Sequence, residues 1–215
     1  MSLPLSLIQT SLGKKYLSAG TGFLLGLFLV VHLIGNATAF FGRDAYNAYA
    51  SHLHTLGPFL KVPETILALI FCIHVLTAVL LFIENRKARP CRYAVSATTT
   101  TRLPSTTMPY SGVVILIFIL AHLFQFHFTK HTTPIAELVR RALSQPAIGL
   151  FYLLALTALG LHLSHGFWSL LQSFGINHPR YNNFFVLSGL GSGILISTVF
   201  MLIVILCLFS DSFLL

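Results

Sequence analysis

Five stretches of this chain, Gly20 to Phe41, Pro63 to Ile83, Tyr110 to Phe128, Ala147 to Leu171 and Phe185 to Phe209, are apolar and almost free of charge. Each has the roughly 20 residues that an α-helix needs to cross about 30 Å of hydrocarbon. Only 8% of the 215 residues are charged, where a soluble domain carries roughly 25%. The expected fold is therefore all-α: one integral membrane bundle of five transmembrane helices, a single domain over residues 1–215. The first run is too long for the short apolar core of a secretory signal and lacks a small-residue cleavage site, so it reads as a retained helix.

The formal charge of +8 does not point to nucleic acid, because Lys and Arg in membrane proteins serve mainly as topology markers. Lys14 and Lys15 precede the first helix, and Arg86, Lys87, Arg89, Arg92 and Arg102 crowd the second connection on the same side. With eight Lys/Arg on that side and five on the other, the N-terminus is expected in the cytoplasm and the C-terminus outside. The second connection, with Pro90, Pro104, Pro109 and a threonine run at 98–101, is expected to be irregular, and its basic residues make it a candidate docking surface. No internal repeat stands out at a fixed period.

Cys72, Cys91 and Cys207 have no metal-binding spacing, and an iron-sulfur cluster generally needs four protein ligands. The Gly189-Leu190-Gly191-Ser192-Gly193 run lies inside an apolar helix and reads as close helix packing, not as a phosphate loop. Redox substrates must therefore be handled elsewhere.

The chemistry lies in the histidines. His32, His74, His122 and His162 fall deep in four successive apolar runs, and only the fifth run lacks one. An imidazole in hydrocarbon is unfavourable unless it is paired or ligates something. One such ring can simply bond a neighbouring helix, but four at comparable depth point to a shared role, and two pairs to two cofactors. Counting about 1.5 Å per residue from the cytoplasmic helix ends puts His32 and His122 roughly 18 Å up and His74 and His162 roughly 14 Å up. Helices one and three would then hold an outer haem and helices two and four an inner one. Two neutral imidazoles complete octahedral haem iron, and a helical bundle accommodates the flat macrocycle. A histidine-only copper or zinc site would need three or four rings at one level. Gly35, Ala78, Ala121 and Gly160 are small residues near these positions that would make room for a ring. His165 lies three residues after His162, on nearly the same face, and either satisfies the spacing. His127 sits near the outer interface, and His52, His54, His131 and His178 fall in loops.

Several segments carry a family resemblance: Val31-His32-Leu33-Ile34-Gly35-Asn36, the run Phe-Gly-Arg-Asp-Ala-Tyr-Asn-Ala-Tyr from Phe41, Glu84-Asn85-Arg86 with Ala88-Arg89-Pro90, and Leu161-His162-Leu163-Ser164-His165-Gly166-Phe167-Trp168-Ser169. The chain resembles, over nearly its whole length, the five-helix di-haem cytochrome b (b558) subunit of succinate:quinone and quinol:fumarate oxidoreductases. The resemblance selects His162 over His165. It implies iron ligation by His32 with His122 (outer haem) and His74 with His162 (inner haem). It further implies a flavoprotein and an iron-sulfur subunit as partners, menaquinone or another quinone as substrate, a prokaryotic inner (cytoplasmic) membrane, and a possible dimer of the complex. Ser18, just before the first helix, matches a position near the inner haem. Arg141, at the outer start of helix four, is a candidate for neutralising an outer propionate or else an interfacial anchor. Glu64 is either a proton acceptor for quinol or a solvated helix-start acid. Gly160 departs from fumarate-reducing relatives that carry a Glu there. The readings that compete are the cytochrome b anchor of another quinone-linked dehydrogenase and a haem-free transporter with proton-coupling histidines.

Overall fold

The computed structural model describes residues 10–88, 102–128, 133–176, 178–210 and 212–214, with side chains 102–106 excepted. These residues form seven α-helices and no strand: α1 (Ser11–Ala37), α2 (Arg43–His54), α3 (Lys61–Lys87), α4 (Arg102–Phe126), α5 (Ile135–Leu143), α6 (Pro146–Ser173) and α7 (Asn182–Phe209). Five of them, α1, α3, α4, α6 and α7, are long and apolar enough to cross a membrane, and the chain is a multi-pass membrane protein. Val31, Ile34, Leu154 and Leu195 are exposed on these helices, which in water would be an aggregating surface but suits lipid. Most of the basic second connection (89–101), with Cys91, and the loop positions Lys130 and His131 lie outside the described residues.

The apolar runs locate the spans but not their ends. α1 begins nine residues before Gly20, because Thr10 caps it by accepting from the Gly13 amide at 3.0 Å and Lys14 is neutralised by an ion pair to Glu84 of α3. Ser18 therefore lies inside α1, not ahead of it. α4 starts at Arg102, so Pro104 and Pro109 are helical and not in the connection. Pro104 stands in the first turn, whose amides have no helical acceptor anyway, while Pro109 removes one bond to residue 105. α6 ends at Gly175 (φ +75°), where Gly175 N donates to Gln172 O at 3.0 Å and Ile176 N to Leu171 O at 2.9 Å, a Schellman termination.

Two helices that hydropathy alone does not reveal, α2 and α5, lie in the connections after α1 and α4. Both carry an acid in the first turn and cationic or histidine side chains in the last, matching the helix dipole. They brace each other, since Asn47 Oδ1 of α2 accepts from the Ala136 amide at the start of α5 at 3.0 Å. Arg141 belongs to α5 and not to the start of α6; its guanidinium is exposed and paired with Glu137. Its neighbour Arg140 turns inward to the Phe213 carbonyl at 3.3 Å. Tyr46, Ala136, Val139 and Leu143 close one end of the bundle over Tyr152, Leu156, Ile203 and Val204.

α6 packs most extensively on α7, α4 on α6, and α1 on α3 and α6, whereas α1 with α4 and α3 with α6 are not among the closely packed pairs. The α6–α7 seam is made of small residues, as in other membrane helix pairs. A Cβ on Gly193 would lie 2.5 Å from the Gly160 carbonyl oxygen, and one on Gly189 2.7 Å from the Ser164 carbonyl oxygen. Gly193→Val should therefore force the two backbones apart and destabilise the bundle by about 1–3 kcal/mol, read as a lowered midpoint in detergent unfolding; an unchanged midpoint would contradict the tight seam.

Candidate functional site: two facing histidine pairs

Four histidines from four different spans meet two by two. The ring centres of His32 (α1) and His122 (α4) are 6.0 Å apart with planes at 90°. Those of His74 (α3) and His162 (α6) are 6.5 Å apart at 74°. In each case the rings meet across the bundle from helices that do not pack closely on one another. An imidazole nitrogen sits about 2.0–2.1 Å from a bound first-row metal and roughly 1.1 Å from its ring centre, so two rings on opposite sides of one metal have centres about 6.2 Å apart. Both pairs stand near that spacing.

The rings are also oriented. His74 Nδ1 lies 3.1 Å from the Ser18 carbonyl and 3.2 Å from Thr21 Oγ1. A carbonyl only accepts, and the Thr21 hydroxyl proton is already given to Leu17 O at 2.6 Å, so the proton must be on Nδ1 and the Nε2 lone pair is left for a ligand. His162 is held in the same way. Its Nδ1 lies 3.2 Å from Ser111 Oγ, whose own proton goes to Met108 O at 3.0 Å. His122 Nδ1 approaches the Tyr152 hydroxyl at 3.3 Å, and that hydroxyl donates to Gln125 Oε1 at 2.7 Å. His32 differs: the Asn36 side-chain amide sits 3.4 Å from its Nε2, and Asn36 is fixed by donating to His32 O at 2.9 Å and accepting from Tyr46 at 2.8 Å. Burial, then the neighbouring Cys207 and Tyr49, raises the Tyr46 phenol above its ordinary pKa, which keeps it protonated and donating.

The two halves of this arrangement repeat. Thr21-Gly22, Phe28 and His32-Leu33 of α1 recur as Ser111-Gly112, Phe118 and His122-Leu123 of α4, each shifted by 90 positions. The matched residues do matched work: Thr21 and Ser111 accept from the histidine opposite, and Phe28 and Phe118 lie against the histidine of their own helix. Each half has the order span, short helix, span, and α7 follows as an addition. The sequence thus does contain a repeat, which a hydropathy scan misses because it is carried by a few polar and small positions in otherwise interchangeable apolar residues.

Gly22 and Gly112 are the small residues that face the rings. A Cβ on Gly22 would be 3.0 Å from His74 Cε1, and one on Gly112 3.6 Å from His162 Cε1. The small residues noted from sequence serve elsewhere: Tyr49 covers Gly35, Gly160 packs against Ser197 of α7, and Ala78 and Ala121 are exposed. Ser18 does stand at the His74 ring, through its carbonyl. His165 lies beside Trp168, ring centres 6.2 Å apart, and it is His162 that faces His74. Glu64, half-buried in the first turn of α3, pairs with Lys61 at 3.1 Å. His52, His54, His127 and His178 are exposed.

The separation of the two levels is larger than helix-end counting suggests. On α1, Gly22 marks the His74 level and His32 lies ten residues on; on α4, Gly112 and His122 are related identically. Ten residues rise about 15 Å. The sequence estimate ordered the levels as the structure does but compressed the gap, because the assumed starts of α1 and α4 were displaced by several residues. Among the described residues, no group of three or more His, Cys, Asp or Glu side chains forms. Comparison with protein-family models, curated proteins and solved structures finds no match to this chain.

In the ligand-free protein, 15N NMR should find His74 and His162 protonated on Nδ1. A proton on Nε2 of either ring would be incompatible with the Ser18 carbonyl at His74 or with the Ser111 hydroxyl at His162.

Proposed function

We propose that this chain is the di-haem cytochrome b membrane anchor of a succinate:quinone or quinol:fumarate oxidoreductase, passing electrons between an iron-sulfur subunit and membrane quinone. The observation that carries the reading is the facing of His32 with His122 and of His74 with His162 at the spacing of two ligands on one metal. The surroundings fit a haem: two rings per site, Nδ1 engaged by fixed acceptors at three of the four, and a glycine where a side chain would crowd each near-level ring. Haem iron bound at each pair would supply a reversible one-electron couple.

The chain's own residues hold and insulate those couples. Ser18, Thr21, Met108 and Ser111 orient His74 and His162 near the end where α1 begins; Tyr152 and Gln125 orient His122 toward the opposite end. In the proposed orientation the N-terminal end faces the cytoplasm of a prokaryote, where the iron-sulfur and flavoprotein subunits dock and the His74/His162 pair is the first to be reached. Quinone exchanges electrons beyond His32/His122, and Glu64 is the candidate to take up or release its protons. Arg141, engaged with Glu137 at the surface, suits an interfacial anchor better than a propionate partner.

The dithionite-reduced protein should show b-type absorption with close to two haems per chain, and a folded haem-free protein would sink the proposal. His74→Ala or His162→Ala should each remove one haem and spare the other. Gly22→Leu, which drives a side chain into His74, should lose the same haem as His74→Ala; loss of the other would overturn the assignment of levels. Glu64→Gln should keep both haems and slow quinone-linked turnover by tenfold or more.

A further inference from the structure

The likeness between the two halves does not extend to the partners of the far-level rings. Tyr152 lies ten residues before His162, and the residue ten before His74 is Glu64. Tyr152 is 6% exposed and clamped between Phe118, whose ring centre is 4.9 Å away edge-on, and the hydrogen bonds to His122 and Gln125. Glu64 at the matching position is turned to Lys61, and the polar contact of His32 is with Asn36 on its own helix. At the near level, His74 meets the Ser18 main-chain carbonyl, and the Ser111 hydroxyl that accepts from His162 is itself fixed on the Met108 carbonyl, main-chain acceptors that substitution cannot remove. His122 alone hands its Nδ1 proton to a relay made wholly of side chains.

We infer that Tyr152 and Gln125 are positioning residues that set the electron affinity of the far-level site through His122, an inference resting on the haem reading above. The direction follows from the proton geometry. The Tyr152 hydroxyl has one proton and gives it to Gln125 Oε1, which enriches the phenol oxygen as an acceptor for the His122 Nδ1–H. A ligand imidazole that donates to a good acceptor becomes more basic at its other nitrogen, and a more basic ligand favours the oxidised metal. The relay therefore lowers the reduction potential of the far site and leaves the near one alone. The protein can in this way tune the far level alone, which the features shared by its two halves, Thr/Ser-Gly and Phe-His, do not do.

Tyr152→Phe keeps the ring and its packing on Phe118 and deletes only the hydroxyl. Redox titration of the purified complex should then show two bound haems and one midpoint potential raised. The shift should approach a tenfold change in the oxidised-to-reduced ratio at fixed potential, about 59 mV for one electron. The potential that moves should be the one that survives in His74→Ala. Gln125→Leu should move the same potential in the same direction by less, and Ser111→Ala should leave it where it is. Two bound haems with both potentials unchanged in Tyr152→Phe would overturn the inference while leaving the haem reading standing, as would a shift confined to the haem lost in His74→Ala. Wild-type protein without haem would overturn both.

Discussion

Hydrocarbon gives a polar ring nothing to bond to, and the organisation of this bundle follows from where its four half-buried intramembrane imidazoles find their partners. Each of three Nδ1–H groups meets an acceptor on another span: the Ser18 carbonyl, the Ser111 hydroxyl and the Tyr152 hydroxyl. Each of these bonds ties one span to another as it fixes a ring. The same contacts leave Nε2 as the free nitrogen. Helix association and site preparation are thus one set of interactions, which is economical in lipid, where apolar burial gives helices little reason to associate.

Between those polar ties, packing is uneven. The α6–α7 seam is close because Gly160, Gly189 and Gly193 let backbones approach, and the end covered by α2 and α5 is filled by Tyr46, Tyr152 and the aliphatic side chains around them. The diagonal pairs α1/α4 and α3/α6 stay apart, and the histidines reach across that interior. A group held between the facing rings, as proposed above, would occupy that gap, and a bundle packed equally tightly on all sides would leave no room there.

The duplicated half supplies a physical account of why each level has two rings, since each half contributes one histidine to each level. The spans α1 and α4, related by the 90-position shift, each place one glycine and one hydroxyl at a near histidine and one phenylalanine beside a far histidine. Around the far pair the halves diverge, with Tyr152 and Gln125 on one ring and Asn36 and Tyr46 on the other. A common frame with local differences keeps the spacing constant while allowing each site its own hydrogen bonding.

The sequence by itself determined the five spans, because length and continuous apolarity are one-dimensional properties that a membrane reads directly. It also singled out the four histidines, because an imidazole in such a run needs a partner whatever the fold. What it left open depended on contacts between distant segments. The true start of α1 rests on Thr10 and on a lysine neutralised by Glu84, seventy positions away. The helices α2 and α5 are short and polar enough to escape a hydropathy scan and are held by each other and by Asn36. Depth along the helices already grouped the rings in the pairs that face one another, but how far apart the two levels lie and which small residues attend the rings were decided by tertiary structure alone. Gly22 and Gly160 look alike in sequence, yet one faces His74 and the other Ser197 of α7, and only the rotation of each helix in the assembled bundle distinguishes them.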